Sequence, residues 1–145
     1  MRIHEVLAHK PSHDVVTVKP DATVRELLGM LAEHNIGALV VSADGASVDG
    51  IVSERDVVRK LHGNEGLLDA TVSTIMSAEV LTCEKDATVN ELMSIMTERR
   101  FRHIPVVADG KLTGIVSIGD VVKSRMSELE FERDQLDHYV HTSQT

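Results

Sequence analysis

A chain of 145 residues, 42% hydrophobic and 26% charged, has the make-up of an ordinary globular protein, with room for one domain or two very small ones. Its formal charge of −8 excludes an overall field that would draw duplex DNA or an anionic membrane, so any anion it binds must be held by a local cluster of donors. The single cysteine, Cys83, excludes an internal disulfide and suits a reducing compartment. The opening residues lack a signal peptide's apolar run, and no apolar stretch is long enough to cross a bilayer. A cytoplasmic protein with neither nucleic-acid nor membrane partners is expected.

In chain order, the elements occur twice. Residues 17–42 and 82–107 share 9 identities over 26 aligned positions, including Asp21-Ala22-Thr23-Val24 against Asp86-Ala87-Thr88-Val89. Residues 50–58 and 114–122 match at 7 of 9, as G-I-V-S-x-x-D-V-V. Each copy opens on a short apolar run that predicts a strand, Val15-Val16-Thr17-Val18 or Val80-Leu81-Thr82-Cys83. Thr23-x-x-Glu26 and Thr88-x-x-Glu91 then read as capping boxes. Val24, Leu27, Leu28 and Leu31, like Val89, Leu92, Met93 and Met96, form one buried helical stripe. The first of these helices is expected to stop near Gly37, in a left-handed turn. Ala38-Leu39-Val40-Val41 and Ile104-Pro105-Val106-Val107 predict the next strands. Pro105, with no N–H to donate, points to an edge or an entry site of its strand. Turns at Asp44-Gly45 and Asp109-Gly110 lead to the strands at Gly50 and Gly114, and each runs into a helix at Ser53 or Ser117.

The fold class is therefore α/β (α+β): two β-α-β-β-α repeats. Residues 1–66 carry the first repeat with its N-terminal lead-in, 67–127 the second, and 128–145 a helical tail. Met126, Leu129, Leu136 and Val140 share one face of that tail. This suits either a helix leaning on the body or a partner helix.

Two such units, each ending G-h-h-S-x-x-D before a helix, resemble a stand-alone tandem pair of CBS domains, the regulatory modules named after cystathionine β-synthase. The resemblance spans roughly residues 1–127. It implies pseudo-twofold packing, clefts between the domains that hold adenosine-containing ligands (AMP, ATP, NAD or S-adenosylmethionine), and a homodimer.

Ser53 with Asp56, and Ser117 with Asp120, suit an N-cap and its capping-box partner. The same carboxylates can take two hydrogen bonds from a vicinal diol. The resemblance makes Asp56 and Asp120 the ribose-binding candidates, with Ser53 and Ser117 beside them. The copies diverge most where His34-Asn35-Ile36-Gly37-Ala38 faces Arg99-Arg100-Phe101-Arg102-His103. Cations at a helix end also favour its dipole. By family position Arg102 and His103 reach ligand phosphate, and Arg100 and Arg55 are further phosphate candidates. Val80, Ile104 and Pro105 would wall one adenine slot, with Val15, Gly37, Ala38 and Leu39 at the other; plain core packing suits them equally. Two unequal sites are expected, the cationic one binding nucleotides more tightly.

Nothing in the sequence supports catalysis or a catalytic cofactor: there is no P-loop, G-x-G-x-x-G or G-x-S-x-G. His9-x-x-x-His13 and His138-x-x-His141 have metal-compatible spacing but no Cys beside them and lie near the ends of the chain, so no metal is expected. The expected function is a regulatory module that senses an adenine nucleotide and signals to an unidentified downstream protein. The competing expectation is a dimer scaffold of the same fold with vestigial sites.

Overall fold

The computed structural model describes residues 1–10 and 15–143, and His13 lies outside them. Each half builds a three-stranded sheet in the same order. In the first, β1 (Thr17–Val18) pairs parallel with β2 (Ala38–Val41), which pairs antiparallel with β3 (Gly50–Ser53). In the second, β4 (Cys83–Glu84) pairs parallel with β5 (His103–Ala108), and β5 antiparallel with β6 (Lys111–Ser117). The helices are α1 (Ile3–Ala8), α2 (Val24–His34), α3 (Glu54–Leu61), α4 (Val89–Arg99) and α5 (Ile118–Ser143), with 3-10 turns at Glu65–Asp69 and Val72–Thr74.

Both capping boxes form. Thr23 Oγ1 accepts from the Glu26 amide and Thr88 Oγ1 from the Glu91 amide, each at 3.1 Å, while each Glu reaches back to the Thr amide at 3.2 Å. The stripes that follow are buried as their spacing requires: Val24, Leu27 and Leu31 on α2, Val89, Leu92 and Met96 on α4.

Three local expectations are corrected. The turn after α2 is made by Asn35 (φ 51°) rather than Gly37, and after α4 by Arg100 (φ 59°). Pro105 lies in the central strand of its sheet, not at an edge. It is tolerated there because the ladder with β4 begins only at Val106, one residue further on. The missing donor goes with a displaced rather than a shorter β4: Thr17 pairs with Val40, but its counterpart Thr82, opposite Pro105, is unpaired, and pairing runs through Cys83 and Glu84. Val15 and Val16 likewise precede β1, which pairs only through Thr17 and Val18.

The lead-in segments cross over. Ile3 and Val6 of α1 bury themselves in the second core, with Val89, Leu92, Ile104 and Val116. Leu67, Val72 and Ile75 complete the first core, with Leu27, Leu39 and Val52. Matching backbone clasps hold both. The Val24 amide donates to the Ala70 carbonyl and the Val72 amide to that of Ala22; the Val89 amide donates to Met1 and the Ile3 amide to Ala87. Packing thus crosses the boundary expected at residues 66 and 67. The glycine opening each G-h-h-S motif lets these segments approach. A Cβ at Gly50 would lie 2.7 Å from Met76 Sδ and 2.9 Å from the Ser77 carbonyl, and one at Gly114 would lie 3.0 Å from both Leu7 methyls.

Candidate functional site

The strand-to-helix junctions come out alike in both halves. Ser53 caps α3: its Oγ accepts from the Asp56 amide at 3.2 Å, and Asp56 Oδ2 takes the Ser53 amide at 2.8 Å and hydroxyl at 3.1 Å. Ser117 Oγ accepts from the Asp120 amide at 3.1 Å, and Asp120 Oδ2 takes the Ser117 amide at 2.9 Å. Capping is therefore part of what these four residues do. Both aspartates remain half-buried at their helix starts, where the backbone N–H groups favour negative charge.

What surrounds the two carboxylates differs. Register places His103 opposite Ser117 on the neighbouring strand, and Ala38 opposite Ser53. Lys10, from the segment after α1, ties the second junction together. Its Nζ lies 3.1 Å from Asp120 Oδ2 and donates to the Ile115 carbonyl at 3.0 Å. Burial opposes charge on Asp120, but the Ser117 amide and Lys10 outweigh it and hold the carboxyl below its ordinary value. His103 goes the other way. Burial disfavours its cation, Lys10 and Arg102 reinforce that, and Asp120 and Glu54 oppose it, so the imidazole titrates below its ordinary range. Glu54 belongs to the first half, so its influence on His103 is an electrostatic link between the two repeats.

Asp120 and Lys10 line a pocket of about 280 Å³ with His9, Lys123, Ser124 and Ser127. In the first half, Asn35, Gly37 and Glu54 line a separate, more open hollow with Leu28, Leu31 and Ala32. Glu54 Oε1 stands 3.6 Å from where a Gly37 Cβ would be, so a carboxylate sits where the second half carries cations.

Arg102 is exposed, and its carbonyl accepts the Ile118 amide at 2.8 Å, which fixes the backbone beside His103. Arg55 and Arg100 are exposed too, and neither side chain makes an ion pair or hydrogen bond among the described residues. The adenine candidates divide by strand face. Ile104 and Leu39 lie in the two aliphatic cores at 1% exposure, packed with residues of the helices. Strand alternation puts Ala38 and Pro105 on the opposite faces, both buried. Val15 and Val80 are half-buried, each ahead of its strand. Sequence reasoning missed Lys10 and Glu54. The signal for Lys10 was present: aligning the lead-in segments at Ile3 with Val72 and Leu7 with Met76 sets Lys10 against Glu79, a reversal of charge.

Cys83 is half-buried beside the second core. Burial, with Glu84 adding, pushes its thiol up to about 11, so it has no nucleophilic character at neutral pH. Among the described residues no group of three His, Cys, Asp or Glu side chains is arranged to hold a metal ion, and no helix is long and apolar enough to cross a membrane.

Two copies of one α/β unit, each presenting a capping-box aspartate at a strand-to-helix junction, define a tandem-repeat module with two unlike junctions. The CBS-domain family profile matches residues 3–63 and 72–127, and the chain belongs to that family. It is 38% identical over 125 residues to the mitochondrial CBS domain-containing protein CBSX3 of Arabidopsis thaliana, covering 83% of this chain and 61% of that protein. The chain spans 57–66% of the length of the first curated relatives it matches. Among solved structures, the CBS-domain containing protein ATU1752 from Agrobacterium tumefaciens superimposes with a TM-score of 0.81 at 46% identity, covering 86% of this chain and 99% of that one. The CBS domain pair of protein MJ0100, solved in complex with 5-methylthioadenosine and S-adenosyl-L-methionine, shares the fold at 24% identity and a TM-score of 0.75, covering 85% and 98%.

Proposed function

We propose that this chain is a regulatory module that binds a phosphorylated adenosine ligand of the AMP, ATP or NAD type at its second-half junction, and performs no chemistry on it. The observation that carries this reading is the Lys10–Asp120 ion pair at a junction where His103 lies opposite Ser117 and the Arg102 carbonyl holds the Ile118 amide, a diol acceptor close to cationic residues in a protein of charge −8. Asp120 takes the ribose with Ser117 beside it; Arg102 and His103 take phosphate, and Pro105 with Val80 contributes the apolar side of the base site. The first-half junction, with Asp56, Ser53, Ala38 and Gly37 but Glu54 in place of cations, is the weaker site. That the pair MJ0100 was solved with two adenosine derivatives supports an adenosine moiety in the ligand; neither of those compounds carries a phosphate, so the phosphorylated class rests on the cations at this junction.

Ligand engaging groups of both repeats favours one relative arrangement by its differential affinity for that arrangement, and a downstream protein reads the result. Residues 1–66 and 67–127 are the two sequence repeats, and 128–145 an assembly tail. α5 exposes Val122, Met126, Leu129, Leu136 and Val140 at 44–65%, a spacing that suits a second copy of the helix. The accessible surface of 9498 Å² exceeds the ~7,400 Å² of a compact monomer of this mass. Both favour a homodimer. They also support a second reading, a dimer scaffold whose sites no longer bind.

Titration calorimetry with AMP, ATP, NAD and S-adenosylmethionine separates the two. Heat of binding for a phosphorylated ligand, weakened far more for AMP than for adenosine by Arg102→Ala, is expected. No binding of any of the four at millimolar concentration leaves only the scaffold.

A further inference from the structure

We propose that Lys10 makes the second-half site selective for phosphorylated nucleosides by competing with the ribose diol for Asp120 and pairing with phosphate once displaced. This rests on the ligand class proposed above.

Lys10 reaches Asp120 from a firmly seated segment. Ile3 and Val6 are buried at 0% and 6% exposure, and Leu7 lies against Gly114. Its ammonium is split between Asp120 Oδ2 and the Ile115 carbonyl, and the Lys10 and Asp120 side chains are only 28% and 24% exposed. A vicinal diol uses both carboxylate oxygens. Asp120 Oδ2 already takes the Ser117 amide and the Lys10 ammonium, and the Ser117 hydroxyl bonds to the same carboxyl. The amide is fixed in the helix cap, so the group that must yield is the ammonium, on a flexible four-carbon stem. A nucleoside without phosphate displaces it and offers no anion in return. A nucleoside monophosphate carries its own anion into reach of the released ammonium, next to Arg102 and His103. The first half carries Glu79 at the matching position, so the same device is missing there.

The test compares wild type, Lys10→Met and Lys10→Arg by calorimetry with AMP and with adenosine, alongside NMR titration of the Asp120 carboxyl. Lys10→Met is expected to weaken AMP on the order of tenfold and to leave adenosine equal or tighter, collapsing the AMP/adenosine ratio, while Lys10→Arg keeps it. The Asp120 carboxyl should titrate higher in Lys10→Met. Equal losses for both ligands, or an unchanged ratio, overturn the role of Lys10 while leaving the nucleotide site standing. Wild type that binds neither ligand, with Asp120 still titrating low, removes the nucleotide reading and this selectivity with it.

Discussion

At the scale of single residues, the two capping-box aspartates are chemically alike and electrostatically opposite. Asp120 sits beside Lys10 and His103, whereas Asp56 has no cation paired to it among the described residues. Asp120→Asn keeps the shape of the cap and removes the charge. It should weaken AMP by about 1–3 kcal/mol, with Asp56→Asn costing far less, as read by calorimetry; equal losses would show that both sites work alike. His103 adds a pH signature. Its folded value lies below the unfolded one, so the unfolded chain binds the proton more readily and stability rises with pH. Melting temperature should fall as pH drops from about 7.5 to 5.5, through the ordinary histidine range. His103→Gln should flatten that slope; an unaltered slope would assign it to another group. The sequence displayed the aspartates and the Arg102-His103 pair because both sit in the repeat, one where the copies agree and one where they differ. It marked Lys10 only through the charge reversal against Glu79 in the lead-in segments, because its partner lies 110 residues away and it belongs to no motif.

Among the elements, the G-h-h-S glycines carry a packing task that the motif alone does not state. Neither Gly50 nor Gly114 has a positive φ; each is needed because a lead-in segment crosses its strand. Gly50→Ala should destabilise by about 1–3 kcal/mol in urea unfolding, because the Ser77 carbonyl cannot give way. Gly114→Ala should be milder, because flexible Leu7 methyls are the obstacle; the reverse order would contradict this packing. Helix starts and stripes were legible because capping boxes and 3.6-residue periodicity are local. The crossover was not: Ile3-His4-Glu5-Val6-Leu7 is amphipathic, and amphipathicity says that a face is buried without saying in which core. Pro105 misled for a related reason. A missing N–H argues for an edge only when a partner strand needs that donor, and here the β4 ladder starts one residue later.

For the whole molecule, duplication supplies two strand-to-helix junctions and divergence makes their surroundings unlike, while α5 runs unbroken from the Asp120 junction to Ser143. The sequence marked the tail's apolar face but not its continuity with the site helix, since the expected boundary at residue 128 falls where the repeat ends rather than where the helix does. Removing residues 128–145 should convert a dimer into a monomer by light scattering while AMP binding persists. A truncated protein that stays dimeric would move the interface to the body of the repeats. The most direct measurement is a crystal structure of the protein with AMP. The expected density places the ribose hydroxyls on Asp120 and the phosphate among Lys10, Arg102 and His103, with the Asp56 junction occupied more weakly. AMP seated at Asp56 alone, or bound away from both junctions, would contradict the assignment.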